Sequence, residues 1–140
     1  VDETIVGRPG ETLELEFLGG ELDGERWFVA GQPKFAPGHE DILFVSREVS
    51  VVTPLVRMMY GRYLVAEDVG GREIMARANG TPLVAEDQIT APLGQPPEGE
   101  ALAMAMRAAL TPEQFTQTIR ATALRVGRTD VVPAAGGTQP

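Results

Sequence analysis

The first 90 residues consist of short apolar runs separated by turn-forming residues. Residues 12–18 alternate apolar with acidic side chains, which is the period of a strand with one face on a core and one in water. Asp23-Gly24 predicts a tight turn, and residues 25–30 predict the returning strand of a hairpin. Residues 60–68, 72–78 and 82–86 predict a meander in which Asn79-Gly80 forms a type I′ turn.

The stretch Gly31 to Val45 is the centre of the predicted fold. Its first half is rich in Pro and Gly, and we expect Phe35 within it to plug one end of the core. Ile42 to Val45 is apolar without alternation, which predicts a strand covered on both faces. A further strand is predicted at Val49 to Val52.

Helical patterns begin only after residue 90. Residues 91–99 contain three prolines and two glycines, and residues 100–109 are good helix formers. Residues 111–114 carry a capping box with Thr111 as the N-cap. The helix that follows is predicted to have an apolar stripe, with Arg120 off it and an end at Gly127. The stripe contains Phe115, Ile119, Ala123 and Val126.

These patterns predict a mainly β protein with helices at its C-terminal end. About seven short strands in residues 1–90 indicate an antiparallel barrel or sandwich. Residues 91–99 form a Pro/Gly linker, residues 100–128 a segment of one or two helices, and residues 129–140 a flexible tail.

Charge and composition narrow the classes of partner. The 140 residues carry a net charge of −8, and residues 1–100 hold eight basic and 18 acidic side chains. Such a body is repelled by phosphate backbones, so we do not expect a nucleic-acid partner. The absence of cysteine excludes disulfides, and no apolar run reaches the ~18 residues that a membrane-spanning helix needs. The start at Val1 is interpreted as a processed or truncated end.

Candidate catalytic and metal-binding residues are few. His39, the only histidine, precedes Glu40 and Asp41. Together with Ser46, His39 and Asp41 are the residue types of a catalytic triad, but the local sequence motif of a nucleophilic serine is absent. We therefore interpret His39 as an exposed turn residue. The acidic side chains at positions 21, 23 and 25 would suit calcium but lack the glycine and the distal glutamate of an EF-hand loop. No catalytic residue, metal or cofactor is predicted.

Two places favour a protein partner. On the strand that contains Trp27 and Phe28, one of these side chains must face away from the core unless something covers it. Arg57, Met58, Met59 and Tyr60 follow a proline-broken segment, and Arg, Met and Tyr are enriched at interface cores. The alternative is that Met58 and Tyr60 close the end of the barrel.

The order of several short motifs resembles a poorly characterised group of bacterial extracytoplasmic domains. The motifs are Gly19-Gly20-Glu21, the segment from Ala30 to Val45, and the segment from Tyr60 to Val65; together they cover about Val6 to Leu83. Leu110 to Phe115 resembles the helix start that often closes such domains. His39 stands where the group usually has an acidic residue. The group also has one or two strands before the position of Val1. We therefore expect either that the first residues are missing from this sequence, or that a partner or the C-terminal helix covers the open edge.

The resemblance implies a small barrel of the oligonucleotide/oligosaccharide-binding type, as in netrin-like modules. The expected function is a non-enzymatic, extracytoplasmic protein-interaction domain, an accessory subunit of a membrane or envelope assembly. One alternative is a carboxylate-dependent hydrolase that uses two of the acidic residues, whose activity would drop when Glu21, Asp23 or Glu40 is neutralised. The other is a module similar to protease inhibitors, which ranks last because those inhibitors need a disulfide-anchored amino terminus.

Overall fold

A computed structural model describes residues 1–30, 32–48 and 53–134 of the chain. The Cα positions divide into two compact units. One is Leu15–Leu110; the other joins Val1–Glu14 to the chain that begins at Thr111. The predicted strand at Val49 to Val52 lies outside the described residues, as do Gly31 and residues 135–140.

The larger unit begins with a two-stranded hairpin. Strands β1 (Gly20–Leu22) and β2 (Glu25–Trp27) pair antiparallel, with Leu22 opposite Glu25. Asp23 and Gly24 connect them with φ of 51° and 81°. Two positive φ angles in a two-residue loop are those of a type I′ turn, so the predicted turn at Asp23-Gly24 is confirmed.

A three-stranded antiparallel sheet follows in the order β3-β4-β5. Its strands are β3 (Asp41–Leu43), β4 (Arg62–Glu67) and β5 (Glu73–Arg77). Asn79 and Gly80 lie in the turn after β5, but Gly80 alone of the two has a positive φ, 88°. The Arg77 carbonyl accepts from Gly80 N, and Arg77 N donates to the Thr81 carbonyl. The predicted type I′ geometry is therefore wrong, because a single left-handed residue gives a loop one residue longer.

Strand β5 lies at the centre of the core of this unit. Its last four residues are all buried, and Met75 is fully enclosed. Met75 accepts from Leu83 N at 2.9 Å and donates to the Leu110 carbonyl at 2.8 Å, while Leu110 N donates to the Leu83 carbonyl at 2.8 Å. This closed ring of three backbone hydrogen bonds joins β5 to two non-strand segments and satisfies polar groups that burial would otherwise leave unpaired.

Two helices end the described chain. Helix α1 is Gly99–Ala108 in the larger unit, and helix α2 is Pro112–Arg125 in the smaller one. The capping box at the start of α2 is confirmed, because the Thr111 hydroxyl accepts from Gln114 N and the Gln114 side chain accepts from Thr111 N. The helix stops at Gly127, whose φ of 85° suits glycine.

The smaller unit is held by contacts between its two chain segments. Val6 pairs antiparallel with Val131, and Val132 N donates to the Ile5 carbonyl. Arg120 of α2 is buried and donates to the Val132 carbonyl and to Glu3 Oε1, each at 2.6 Å. The sequence predicts Arg120 off the apolar stripe, yet these polar partners bury it, whereas Val126 of the stripe is exposed.

The strands of the described ranges do not form a closed barrel. They form two separate sheets, and the helices, of 10 and 14 residues, outweigh the five strands, of three to six residues each. Residues 12–18 alternate partly in exposure but have no strand partner. The predicted C-terminal position of the helices is confirmed, and the mainly β barrel is not confirmed in the described ranges. A period of two indicates which side chains face inward, but it does not supply the backbone partner that a barrel strand needs.

The Gly31 to Val45 stretch also differs from its prediction. Phe35 is 44% exposed rather than a plug of the core; it packs on Phe17, with ring centroids 5.5 Å apart. Strand β3 is only half-buried, and Val45 is exposed. The strand with both faces covered is β5, whose three apolar residues lie between Glu73 and Arg77. The charged residues at its two ends made β5 look exposed in the sequence. One of them, Arg77, is nevertheless buried, because its guanidinium donates to the Ala91 carbonyl at 2.6 Å.

Candidate interaction surface

The β1–β2 hairpin carries the largest exposed apolar side chains of the described strands. All six strand residues are exposed. Leu22 is 76% exposed and Trp27 71%, and Phe28, which follows β2, is 77% exposed. We call Leu22, Trp27 and Phe28 the hairpin patch. Single exposed apolar residues are ordinary, whereas three on one short hairpin form a feature typical of binding surfaces.

The register places two of these residues on one face. Gly20 lies opposite Trp27 and Leu22 opposite Glu25, so Leu22 and Trp27 are diagonal neighbours. Opposite Trp27 is a glycine, which leaves the indole uncovered on that side. The type I′ turn fixes the backbone register of the two strands, and with it the relative positions of Leu22 and Trp27.

The charge around the hairpin patch is negative. Glu21, Asp23 and Glu25 lie on the same hairpin, which has a single basic residue, Arg26. Arg26 forms an exposed ion pair with Glu21 at 3.2 Å, a type of contact that contributes little to stability. An apolar centre with an acidic rim is complementary to an apolar groove with a basic rim.

The predicted partner residues at positions 57–60 lie elsewhere in the same unit. Met58–Gly61 form a 3-10 turn, and Arg57 and Met58 have left-handed φ angles of 53° and 57°. Arg57 is exposed, with its guanidinium 4.9 Å from the centroid of the Tyr60 ring. Met58, Met59 and Tyr60 are half-buried. Of the predicted set, the structure places only Trp27 on the hairpin.

Of the residues at positions 57–60, Arg57 and Tyr60 border a small hollow of about 120 Å³, and Met58 and Met59 do not line it. Phe44 and Tyr63 pack edge to face beside it, with centroids 5.7 Å apart, and the Tyr60 hydroxyl accepts from Leu93 N. Burial raises the pKa of the Tyr63 phenol, and the nearby charge of Arg77 opposes that rise. Tyr63 therefore stays neutral at physiological pH.

His39 is an exposed residue after the Pro37-Gly38 turn, as predicted. It lines a shallow cleft of about 220 Å³ with Glu40, Glu67 and Glu73. Glu67 and Glu73 lie directly opposite each other at the end of β4 and β5. Within the described ranges, no three histidine or acidic side chains are placed to hold a metal ion.

The residues considered for a catalytic triad or for a hydrolase site make separate contacts and lie in different places. Asp41 binds Arg62, and the Ser46 hydroxyl accepts from Glu48 N. Glu21 and Asp23 belong to the hairpin, whereas Glu40 lines the cleft beside the three-stranded sheet.

Sequence reasoning identified Trp27 and missed its two neighbours as parts of one patch. Phe28 was expected to face the core if Trp27 did not, yet both side chains are exposed. Leu22 immediately precedes the Asp23-Gly24 turn. A large apolar residue beside a two-residue turn has few neighbours to cover it, and that position was the available signal.

In the described part of the chain, no helix combines the length and the apolar character needed to cross a bilayer. Comparisons with protein families, with curated proteins and with solved structures found no match to this chain.

Proposed function

We propose that this protein is a non-enzymatic interaction domain that binds a protein partner through the hairpin patch. The observation that carries the proposal is the joint exposure of Leu22, Trp27 and Phe28 on one short antiparallel hairpin. Tryptophan in particular is enriched among the residues that dominate binding energies. The resemblance to extracytoplasmic domains supports placing this interaction in a membrane or envelope assembly.

The partner is proposed to present an apolar groove with a basic rim. The hairpin carries three acidic side chains against one basic one, and the whole chain has a net charge of −8. A second copy of the chain would bring the same acidic rim to the interface, where like charges oppose association. Charge complementarity therefore favours a different, basic protein.

The test immobilises three versions of the full chain on a support and compares the proteins that each one retains from a native extract. The double variant Trp27→Ser/Phe28→Ser should lose proteins that the wild type retains. Val69→Ser is the matched control, because Val69 is 97% exposed in a different turn of the same unit. Added salt should release the retained proteins, since the rims attract each other electrostatically.

A second readout uses the single tryptophan. In the purified complex, Trp27 emission should shift to the blue and resist acrylamide quenching, because the partner removes the indole from water. Equal retention by the wild type and the double variant would overturn the proposal. A clean monomer that retains nothing would do the same.

A further inference from the structure

The hollow beside Arg57 combines an apolar interior with one cation at its edge. Its walls include the rings of Phe44, Tyr60 and Tyr63, with Val56 and Ile89 beside them. Its volume of about 120 Å³ is far below the several hundred Å³ of sites for drug-sized ligands. An apolar cavity of roughly 150 Å³ takes a single benzene ring, so this slightly smaller hollow has room for at most one ring or one branched aliphatic group.

Arg57 has no carboxylate partner among the residues that the structure describes. Six other arginines of that part of the chain form ion pairs, at positions 26, 62, 72, 107, 120 and 128. The contact found for the Arg57 guanidinium is the face of Tyr60, which holds the cation at the edge of the hollow. Within the described residues its five N–H donors have no acceptor, so they are available to bind an anion.

The backbone that places Arg57 there is strained. Arg57 and Met58 are consecutive non-glycine residues with left-handed φ angles. Side chains disfavour this conformation, and where surrounding structure maintains it, strained positions cluster at binding sites. Gly61 allows this backbone to pack closely. A Cβ at position 61 would lie 2.6 Å from the Val56 carbonyl oxygen, which is too close for any residue other than glycine.

We propose that this hollow binds a small monocarboxylic acid whose apolar part is one ring or a short branched chain. The apolar part packs against the aromatic walls, and Arg57 pairs with the carboxylate at the mouth. The neutral Tyr63 phenol adds no charge that would repel the acid. This site is independent of the hairpin patch, whose residues do not line it.

The first test needs no variant. Phenylacetate and its neutral counterpart phenylacetamide are titrated into the full-length protein, and binding is followed by backbone amide NMR shifts. We expect phenylacetate to bind about tenfold or more tightly, because only the acid forms a charge-assisted contact with Arg57. Equal affinities, or no binding of phenylacetate at millimolar concentration, would overturn the proposal.

Variants then locate the site. Arg57→Gln should weaken phenylacetate binding by about tenfold to a hundredfold and leave phenylacetamide unchanged. Val56→Phe should fill the hollow and abolish binding of both probes. Arg125→Gln removes the same charge from an exposed position on α2 and should have no effect. Unchanged phenylacetate affinity in folded Arg57→Gln would assign the binding to another place.

Discussion

Arg62 holds Asp41 in a largely buried ion pair between neighbouring strands. Both Nε and Nη2 of Arg62 lie 3.2 Å from Asp41 Oδ2, and the two side chains are only 10% and 8% exposed. The guanidinium also lies 4.6 Å from the centroid of the Phe35 ring. Asp41 Oδ1 has no hydrogen-bond partner among the described residues, so Arg62 is the main group that stabilises this buried charge.

Arg62→Leu should therefore lower the free energy of unfolding by about 3–5 kcal/mol, because it leaves the Asp41 carboxylate buried and unpaired. Arg62→Leu combined with Asp41→Asn should recover part of that loss, since the charge is then removed. Urea unfolding followed by circular dichroism measures these two variants and the single variant Asp41→Asn. Additive effects in this double-mutant cycle would show that the two residues are not coupled.

Phe35→Ala should cost less than the removal of a core ring. The lost contacts are one ring pair with Phe17 and one cation–π contact with Arg62, together about 1–2 kcal/mol. A full core plug would cost about 3–5 kcal/mol, so urea unfolding distinguishes the two roles. Phe28→Ala is the control, and because Phe28 is 77% exposed its stability should stay close to that of the wild type.

Gly61→Ala should destabilise the protein by about 1–3 kcal/mol through overpacking. The added Cβ would meet the Val56 carbonyl oxygen at 2.6 Å and the Phe44 carbonyl oxygen at 3.0 Å, and neither backbone atom can move freely. Gly94→Ala, where a Cβ meets nothing within 4 Å, should be neutral. Thermal unfolding measures the midpoint temperatures of the two variants in parallel. Equal midpoints would contradict the close approach of the Val56 and Phe44 carbonyls to Gly61.

The turn between β4 and β5 makes stability depend on pH through Asp68. Backbone N–H groups of Arg72 and Gly70 and the Arg72 guanidinium donate to its carboxylate, which lowers the pKa of Asp68, the Arg72 backbone bond being the largest cause. A lowered folded-state pKa gives stability that is fully present above the ordinary carboxyl pKa of about 4 and is lost as the pH falls through the folded value.

Asp68→Asn should accordingly be less stable than the wild type at neutral pH, and the difference should shrink as the pH falls below about 4. The Asn side-chain oxygen still accepts from the backbone, so the turn itself is kept. Urea midpoints between pH 2 and pH 7, at about one-unit intervals, measure the effect. A difference that stays constant with pH would exclude the charge of Asp68 as its cause. Asp23→Asn provides a control in the other hairpin turn.

Local sequence determined those features whose physics is contained in a few neighbouring residues. The Thr111 to Gln114 capping box forms because donors and acceptors three residues apart satisfy each other at the start of α2. Asp23-Gly24 makes its turn because a glycine and an aspartate tolerate positive φ. The exposed position of His39 likewise follows from the adjacent Pro37-Gly38 turn.

Tertiary structure decided the features that depend on distant residues. Arg120 is buried because Glu3, 117 residues away, and the Val132 carbonyl satisfy its guanidinium. The pairing of β5 with Leu83 and Leu110, and not the alternation in residues 12–18, determines where the core lies. The hairpin patch is exposed because no other described residues cover it, a property that alternation along one strand does not encode.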